Sequence, residues 1–151
     1  MSRRFPPVYE CLAAAKRAAP KDAPSRQKVA YECAMCKGLF PSKQVNVDHV
    51  DDAGTLQKEE DITPFILRLF CDPSKLQVLC KSCHDAKSYS SKNGVSLEEA
   101  FLEKKVIAQL AKKQETLALL REHGYTGIVV SNETKRRNLL RDILSKEKKE
   151  K

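Results

Sequence analysis

Four cysteines in two C-x-x-C pairs are the residues of this sequence with the clearest chemical role. Cys33 and Cys36 form the first pair, and Cys80 and Cys83 form the second. Each C-x-x-C turn directs two sulfur atoms toward one point, so two turns supply the tetrahedral ligand set that zinc prefers. A site made only of cysteines leaves no coordination position for substrate, which is typical of a structural zinc. The alternative is thiol redox chemistry, which the wide separation of the two pairs disfavours. We therefore expect a structural Zn²⁺ ion here.

Three polar residues close to these pairs could carry out hydrolysis. Asp48 and His49 lie between the pairs, and His84 directly follows Cys83. Asp48 and His84 offer an oxygen and a nitrogen to a divalent cation, with positions left for water and phosphate oxygens. His49 would stay off the cation and act as general base, a task that suits an imidazole near neutral pH. An isolated Asp-His pair is more often an ordinary surface pair, but its position beside the cysteines favours catalysis.

Short elements are predicted to position these side chains. Residues 45–50 alternate imperfectly between apolar and polar, as in a half-buried strand that ends at Asp48-His49. Residues 76–79 form a second strand that delivers Cys80, and a helix should run from Cys83 toward Ser90. Gly38 is expected to supply the tight turn after Cys36. An insertion over residues 55–75 should contain a short helix, residues 62–70. Its apolar side chains are expected to be buried: Phe65, Ile66, Leu69 and Phe70.

The flanking segments are predicted to be helical and basic. One helix should cover about residues 7–19, between Pro6-Pro7 and Pro20, and five basic residues at positions 16–28 could lie along phosphates or in a loosely packed leader. A second helix should begin at a capping box that starts at Ser96 and continue to about Glu122. After a short apolar segment at 128–130, Asn132 should cap a last helix with a basic face. Together these features predict an α+β chain with three parts: an arm (1–30), a zinc domain (31–90) and a helical extension (91–151).

Composition narrows the class of partner and the compartment. The formal charge of +8 and the pI near 9.2 favour a polyanionic partner, and nucleic acid is the first choice. A membrane span is not expected, because the sequence lacks a run of about 18 apolar residues. The N-terminus lacks the apolar segment of a secretory signal, so a cytoplasmic location is expected. The two other cysteines, Cys11 and Cys71, are interpreted as small apolar side chains.

The order of these motifs resembles the HNH endonuclease family, in particular its small bacteriophage-type members with four zinc-binding cysteines. The pattern is C-x-x-C, then V-D-H-V, then L-Q-V-L-C-K-S-C-H-D-A-K, and it covers about residues 31–88. The resemblance implies a ββα-metal core, similar to a treble clef, with flanking helices. It also implies hydrolysis of DNA phosphodiester bonds with Mg²⁺ or Mn²⁺, in the host cytoplasm if a phage encodes the chain. Within it, His49 is the general base, and Asp48 and His84 hold the catalytic cation.

One position departs from the family pattern. Lys75 stands where the family has an Asn that is thought to brace the metal loop, and an ammonium group cannot accept a hydrogen bond. Either another group braces the loop or activity is reduced. Lys75 could instead contact a phosphate. The full set of candidate nucleic-acid contacts is basic: Lys75, Lys87, Arg136, Arg137 and Arg141.

Three functions are compatible with the sequence. The first is a metal-dependent endonuclease that nicks one strand or forms a homodimer to cut both. The second is a zinc-stabilised DNA-binding module with degenerate or no catalysis, which Lys75 favours. The third is a structural adaptor whose helices bind a phage or host protein, with zinc required only for folding.

Overall fold

The chain contains two compact units, residues 1–85 and residues 86–151. The computed structural model describes residues 5–127 and 132–149, so the apolar segment at 128–130 lies outside the described residues. Within these ranges, no helix has the length and apolar character needed to cross a bilayer. The four paired cysteines, Asp48, His49 and His84 all belong to the first unit.

Two small antiparallel sheets and two helices lie within the first unit, which is therefore mixed α and β. The helices are α1 (Pro6–Ala14) and α2 (Ile62–Leu69). The first sheet has the order β1-β2-β3, and the second pairs β4 with β5. The strands are β1 (Lys16–Ala18), β2 (Val29–Glu32), β3 (Leu39–Phe40), β4 (Val45–His49) and β5 (Leu76–Cys80). The last two agree with the strands predicted from the sequence.

The first helix is shorter than predicted. Proline at its first position suits the helix start, because the N–H that proline lacks would have no partner there. The helix ends at Ala14 rather than near residue 19, since Lys16–Ala18 pairs with β2 as strand β1. Arg17 stabilises this exit by donating from Nη1 to the Ala14 carbonyl at 2.9 Å. Cross-strand pairing thus overrides the helical preference of the alanine-rich segment.

A small apolar core joins α1 to the β4–β5 sheet. Its buried members are Val8, Cys11, Val45, Leu76 and Val78. Burial raises the pKa of the Cys11 thiol, so this cysteine stays protonated and packs as a small apolar residue. The β4–β5 register places Asp48 opposite Gln77 and His49 opposite Leu76. The core therefore holds the strand that ends in the Asp-His pair.

The insertion helix α2 forms as predicted, but its predicted burial is wrong. None of its residues is buried, and Ile66 and Phe70 are 44% and 61% exposed. Phe70 makes one aromatic contact, an edge-to-face pair with Phe5 at 5.7 Å between ring centroids. An apolar stripe at helical spacing therefore faces solvent here, because amphipathic spacing fixes which residues share a face and not what covers it.

In the described part of the chain, four α-helices follow β5. Helix α3 (Lys81–Asn93) leads into α4 (Leu97–Ala111), α5 (Lys113–Glu122) and α6 (Glu133–Lys149). The single helix predicted from Ser96 to about Glu122 breaks at Lys112, where ψ is +70°. The Thr116 hydroxyl donates to the Gln109 carbonyl at 2.5 Å, which satisfies an acceptor near the break. The break allows residues from α4, α5 and α6 to share one core: Val106, Leu120, Leu140 and Ile143.

Side-chain caps and ion pairs stabilise the second unit. Ser96 accepts from the Glu99 N–H at 3.2 Å, and Asn132 accepts from the Lys135 N–H at 3.1 Å, so both predicted caps are confirmed. The Glu99 carboxylate, however, pairs with Arg141 at 2.5 Å rather than completing the capping box. Glu103 is only 5% exposed, and it binds Arg137 at 2.7 Å and Arg141 at 3.1 Å.

Candidate metal centre and hydrolytic site

The four paired cysteines converge on one point. Their sulfur atoms all lie within 4.8 Å of one another, and the Sγ atoms of Cys36 and Cys80 are 3.9 Å apart. In a tetrahedral site with Zn–S bonds of about 2.3 Å, neighbouring sulfurs lie about 3.8 Å apart. A disulfide needs a separation of about 2.05 Å, and none of the four forms one. The donor set and its spacing therefore fit a tetrahedral zinc ion.

The first cysteine turn is shaped by its backbone. The Cys33 N–H donates to the Gly38 carbonyl, and the Lys37 N–H donates to the Cys33 carbonyl, both at 2.9 Å. The tight turn after Cys36 is expected at Gly38, but Lys37, with φ of +59°, is the residue that takes the left-handed conformation there. Gly38 is needed for space instead, because a Cβ there would lie 2.8 Å from the Phe40 ring.

The second pair joins the first through direct hydrogen bonds. The Cys80 N–H donates to Cys33 Sγ at 3.3 Å, and the Ala34 N–H donates to the Val78 carbonyl at 2.8 Å. Ser82 Oγ lies 3.2 Å from Cys80 Sγ. Strand β5 therefore places Cys80 against the first turn, and the first residues of α3 bring Cys83 to the same centre.

The electrostatics of the cluster favour a bound cation. Burial of the Cys33 thiol opposes ionisation, but hydrogen bonds from the backbone N–H groups of Cys36, Cys80 and Met35 outweigh it and lower its pKa to about 7. Burial and the neighbouring sulfurs raise the pKa of Cys83. One thiolate therefore forms readily, and each further thiolate meets the repulsion of those present. A dication at the centre removes that repulsion, because zinc binds cysteine as thiolate.

The Asp-His pair ends strand β4, and both side chains are half-buried. Successive strand residues point to opposite faces, so Asp48 and His49 are directed apart while Asp48 and Asn46 share a face. His49 Nε2 lies 3.3 Å from the Leu69 carbonyl, at the last residue of α2. Since a carbonyl only accepts, this contact requires a proton on Nε2. The neutral ring then carries its lone pair on Nδ1.

His84 lies one turn into α3 and borders a cavity of about 320 Å³. Its Nδ1 is buried without a hydrogen-bond partner in the described ranges, and the nearest carboxylate oxygen in ion-pair range, on Asp85, is 3.6 Å away. A buried nitrogen with no partner is unfavourable unless a ligand satisfies it. The other residues that line the cavity come from α1, β2, the turn before β4 and β4: Val8, Leu12, Tyr31, Ser42, Val45, Asn46 and Val47. His84 therefore shares a cavity with Val45, Asn46 and Val47, the part of β4 that directly precedes Asp48.

One comparison with known proteins decides the family. The chain is similar to the protein named "Probable HNH endonuclease" of Lactococcus phage SK1, with 36% identity over 74 residues, 48% of this chain and 71% of the phage protein. This chain belongs to the HNH endonuclease family. No protein-family model matches it, and no solved structure matches it. As an HNH protein it carries the Asp-His pair and the downstream His84 in one unit with a four-cysteine cluster.

The HNH position occupied by Lys75 lies in a single 3₁₀ turn, Pro73–Lys75. The Lys75 carbonyl accepts from the Val50 N–H at 2.8 Å, and this hydrogen bond joins the residue directly after the Asp-His pair to the residue directly before β5. The Gln77 side chain donates from Nε2 to the His49 carbonyl at 3.3 Å. Gln77 was not singled out in the sequence, although its place opposite Asp48 in the strand pairing would have pointed to it. The side-chain amide of Gln77, two positions after Lys75, therefore supports the backbone of the Asp-His pair in this HNH protein.

The basic candidates for nucleic-acid contact have different surroundings. Arg137 is bound to Glu103, whose hydrogen bond raises the pKa of the guanidinium, and Arg141 is bound to Glu99 and Glu103. Either guanidinium would have to give up a carboxylate, in whole or in part, in order to bind phosphate. Lys87 is half-buried in α3, and Arg136 borders a small cavity in the second unit. Part of the predicted basic face of the last helix thus stabilises the fold.

Proposed function

We propose that this chain is a metal-dependent endonuclease that hydrolyses DNA phosphodiester bonds. The observation that carries the proposal is the placement of Asp48 and His49 at the end of β4 and of the unpartnered His84 Nδ1 in α3, within the unit that holds the four cysteines. The name of the related phage protein supports the same activity. The order β4, β5, α3 supports a ββα-metal core in which a structural Zn²⁺ ion is bound by Cys33, Cys36, Cys80 and Cys83.

Asp48 and His84 are proposed to bind the catalytic cation, Mg²⁺ or Mn²⁺. When bound, the cation neutralises the scissile phosphate and stabilises the leaving 3′-oxygen. The chain's own contribution is to hold and move a proton. His49 Nδ1 accepts the proton of the attacking water, while the Leu69 carbonyl keeps the Nε2 proton in place. In-line attack then leaves 5′-phosphate and 3′-hydroxyl ends.

Affinity for DNA is proposed to come mainly from phosphate contacts, which carry no sequence information. The proposed contacts are Lys75, Lys87, Arg136, Arg137 and Arg141. The protein would act in the cytoplasm of a phage-infected host. It would nick one strand alone, or cut both as a homodimer or with a phage or host protein partner.

Cleavage of supercoiled plasmid tests the activity directly. The wild-type chain should convert supercoiled DNA to open circles when Mg²⁺ or Mn²⁺ is added. His49→Ala should lower the rate by at least about 10²-fold, since general-base catalysis contributes about 10²–10⁴-fold. His123→Ala is the matched control, because His123 is exposed in the second unit and should leave the rate unchanged. Equal rates in the two variants would show that the base is misassigned.

The second candidate is a zinc-stabilised DNA-binding module without catalysis, which Lys75 favours. It predicts DNA retention that weakens with salt, and no nicking with either cation. Absence of DNA retention at low salt would leave the structural adaptor.

A further inference from the structure

The strands β1 and β2 and the turn that joins them form a basic hairpin, residues 16–32. Its register pairs Lys16 with Tyr31 and Ala18 with Val29, and the Ala19 N–H extends the ladder to the Lys28 carbonyl at 3.2 Å. Two tight turns shape the loop: the Ala23 N–H donates to the Pro20 carbonyl at 3.0 Å, and the Gln27 N–H donates to the Pro24 carbonyl at 2.7 Å. The hairpin is therefore an ordered element and not a loose leader.

The far part of the hairpin is two strands wide. Strand β3 pairs with β2 only at Tyr31 and Glu32. The pairs Arg17–Ala30 and Ala18–Val29 and the Ala19–Lys28 hydrogen bond therefore extend past it as a short two-stranded ribbon, and residues 20–27 form the loop at its tip. The major groove of B-DNA, about 12 Å wide, admits such a ribbon. All three residues of β1 are exposed. The shape of this segment therefore fits the major groove.

Charge distinguishes the hairpin's tip from its base. At the base, Arg17 is neutralised by Glu32 at 3.0 Å and also donates to two backbone carbonyls. Toward the tip, Lys21, Arg26 and Lys28 are exposed, and within the described ranges none of them forms an ion pair. The loop contains one acidic residue, Asp22. The tip therefore carries excess positive charge that no carboxylate has to release before it binds phosphate.

The hairpin is also tied to the cysteine cluster. Strand β2 ends at Glu32, directly before Cys33, and the Cys80 N–H donates to the Cys33 sulfur at 3.3 Å. The Glu32 N–H donates to the Ala15 carbonyl at 2.9 Å, which fixes the start of β1 beside the same point. A hairpin anchored in this way is held by the cluster that also positions β5.

We propose that the basic hairpin is the element that docks this protein on duplex DNA, with its tip in the major groove and Lys21, Arg26 and Lys28 on the flanking phosphates. The proposal rests on DNA being the substrate. It assigns a binding surface that contains none of the contacts given under the proposed function: Lys75, Lys87, Arg136, Arg137 and Arg141.

The salt dependence of duplex binding tests this proposal. Binding is measured in the His49→Ala background, so that the DNA stays intact, for a variant with Lys21→Gln, Arg26→Gln and Lys28→Gln. The control variant carries Lys105→Gln, Lys113→Gln and Lys146→Gln, three exposed lysines of the second unit. Each triple removes three positive charges from the formal +8, leaving +5. The two variants therefore differ in where charge is lost and not in how much.

The hairpin triple should reduce the slope of log K against log salt by about 2.7, because each phosphate contact contributes about 0.9. Between 50 and 200 mM salt, its affinity should then fall about 40-fold less than that of the parent. The control triple should keep the parent slope. Methyl green, which occupies the major groove, should compete with the parent, and netropsin, which occupies the minor groove, should not.

Equal slopes in the two triples would overturn the proposal, as would competition by netropsin alone. A full zinc complement and an unchanged melting temperature in the hairpin triple would exclude misfolding as the cause of a lost slope. The nuclease proposal is judged separately, by plasmid nicking with the wild-type chain. If the wild-type chain nicks plasmid and the two triples have equal slopes, only the hairpin proposal is refuted. If the slope changes but the wild-type chain does not nick plasmid, only the nuclease proposal is refuted.

Discussion

Cys80→Ser should remove zinc and unfold much of the first unit. Cys80 is 2% exposed at the end of β5, its sulfur is 3.9 Å from that of Cys36, and its N–H binds Cys33. Binding of a structural zinc contributes about 10–16 kcal/mol in zinc-finger peptides at neutral pH. The total stability of a typical domain is about 5–15 kcal/mol. Among the described residues, the apolar core that joins α1 to the β4–β5 sheet has five buried members, so loss of even part of the zinc contribution should exceed what remains.

Hydrogen exchange and metal analysis together check this prediction. The wild-type chain should contain one zinc per molecule, and Cys80→Ser should contain little. Amides in residues 29–49 and 76–84 should lose protection, while those of α4, α5 and α6 keep it because they share a separate core. Cys71→Ser is the matched control, since Cys71 is half-buried and lies outside the cluster. A Cys80→Ser protein with full zinc and an unchanged melting curve would refute the structural-zinc account.

Four other substitutions follow from the contacts and exposed fractions of these side chains. Gln77→Leu should slow plasmid nicking while zinc content and melting stay near wild type, because it removes only the side-chain donor to the His49 carbonyl at 3.3 Å; an unchanged rate would show that the backbone needs no such support. Glu103→Gln should lower the free energy of unfolding of the second unit by about 1–3 kcal/mol in a denaturant titration, since two guanidinium groups lose their shared buried carboxylate. Glu99→Gln should cost less, because its side chain is 42% exposed and binds one arginine, and the reverse order would contradict this account. Leu67→Gln should change the free energy of unfolding by less than about 0.5 kcal/mol, since the side chain is 69% exposed. A large loss of stability would mean that α2 packs more tightly than described.

The sequence predicted best where one local rule decides the outcome. Alternation of apolar and polar residues predicted the strand found at 45–49, and the side-chain oxygens of Ser96 and Asn132 predicted two helix starts. Prediction failed where distant segments compete for the same backbone. Residues 16–18 have helical neighbours but pair with β2, and the helix after Ser96 breaks at Lys112 so that three helices can share a core. Local residue spacing identifies neither β2 as the partner of residues 16–18 nor the helices that share the core after Lys112.

By itself, the sequence determined the chemistry that is available: seven positions with ligand or base character, four of them in two C-x-x-C turns whose geometry is local. Ligand type and turn geometry depend on covalent structure and on a few neighbouring residues, so they can be read from the chain. Tertiary structure alone decided which groups meet. The 3.9 Å approach of Cys36 to Cys80, the contact of His49 with the Leu69 carbonyl and the support from Gln77 each join residues 20 to 44 positions apart. Such meetings depend on strand register and on the packing of a small core, which no local pattern specifies.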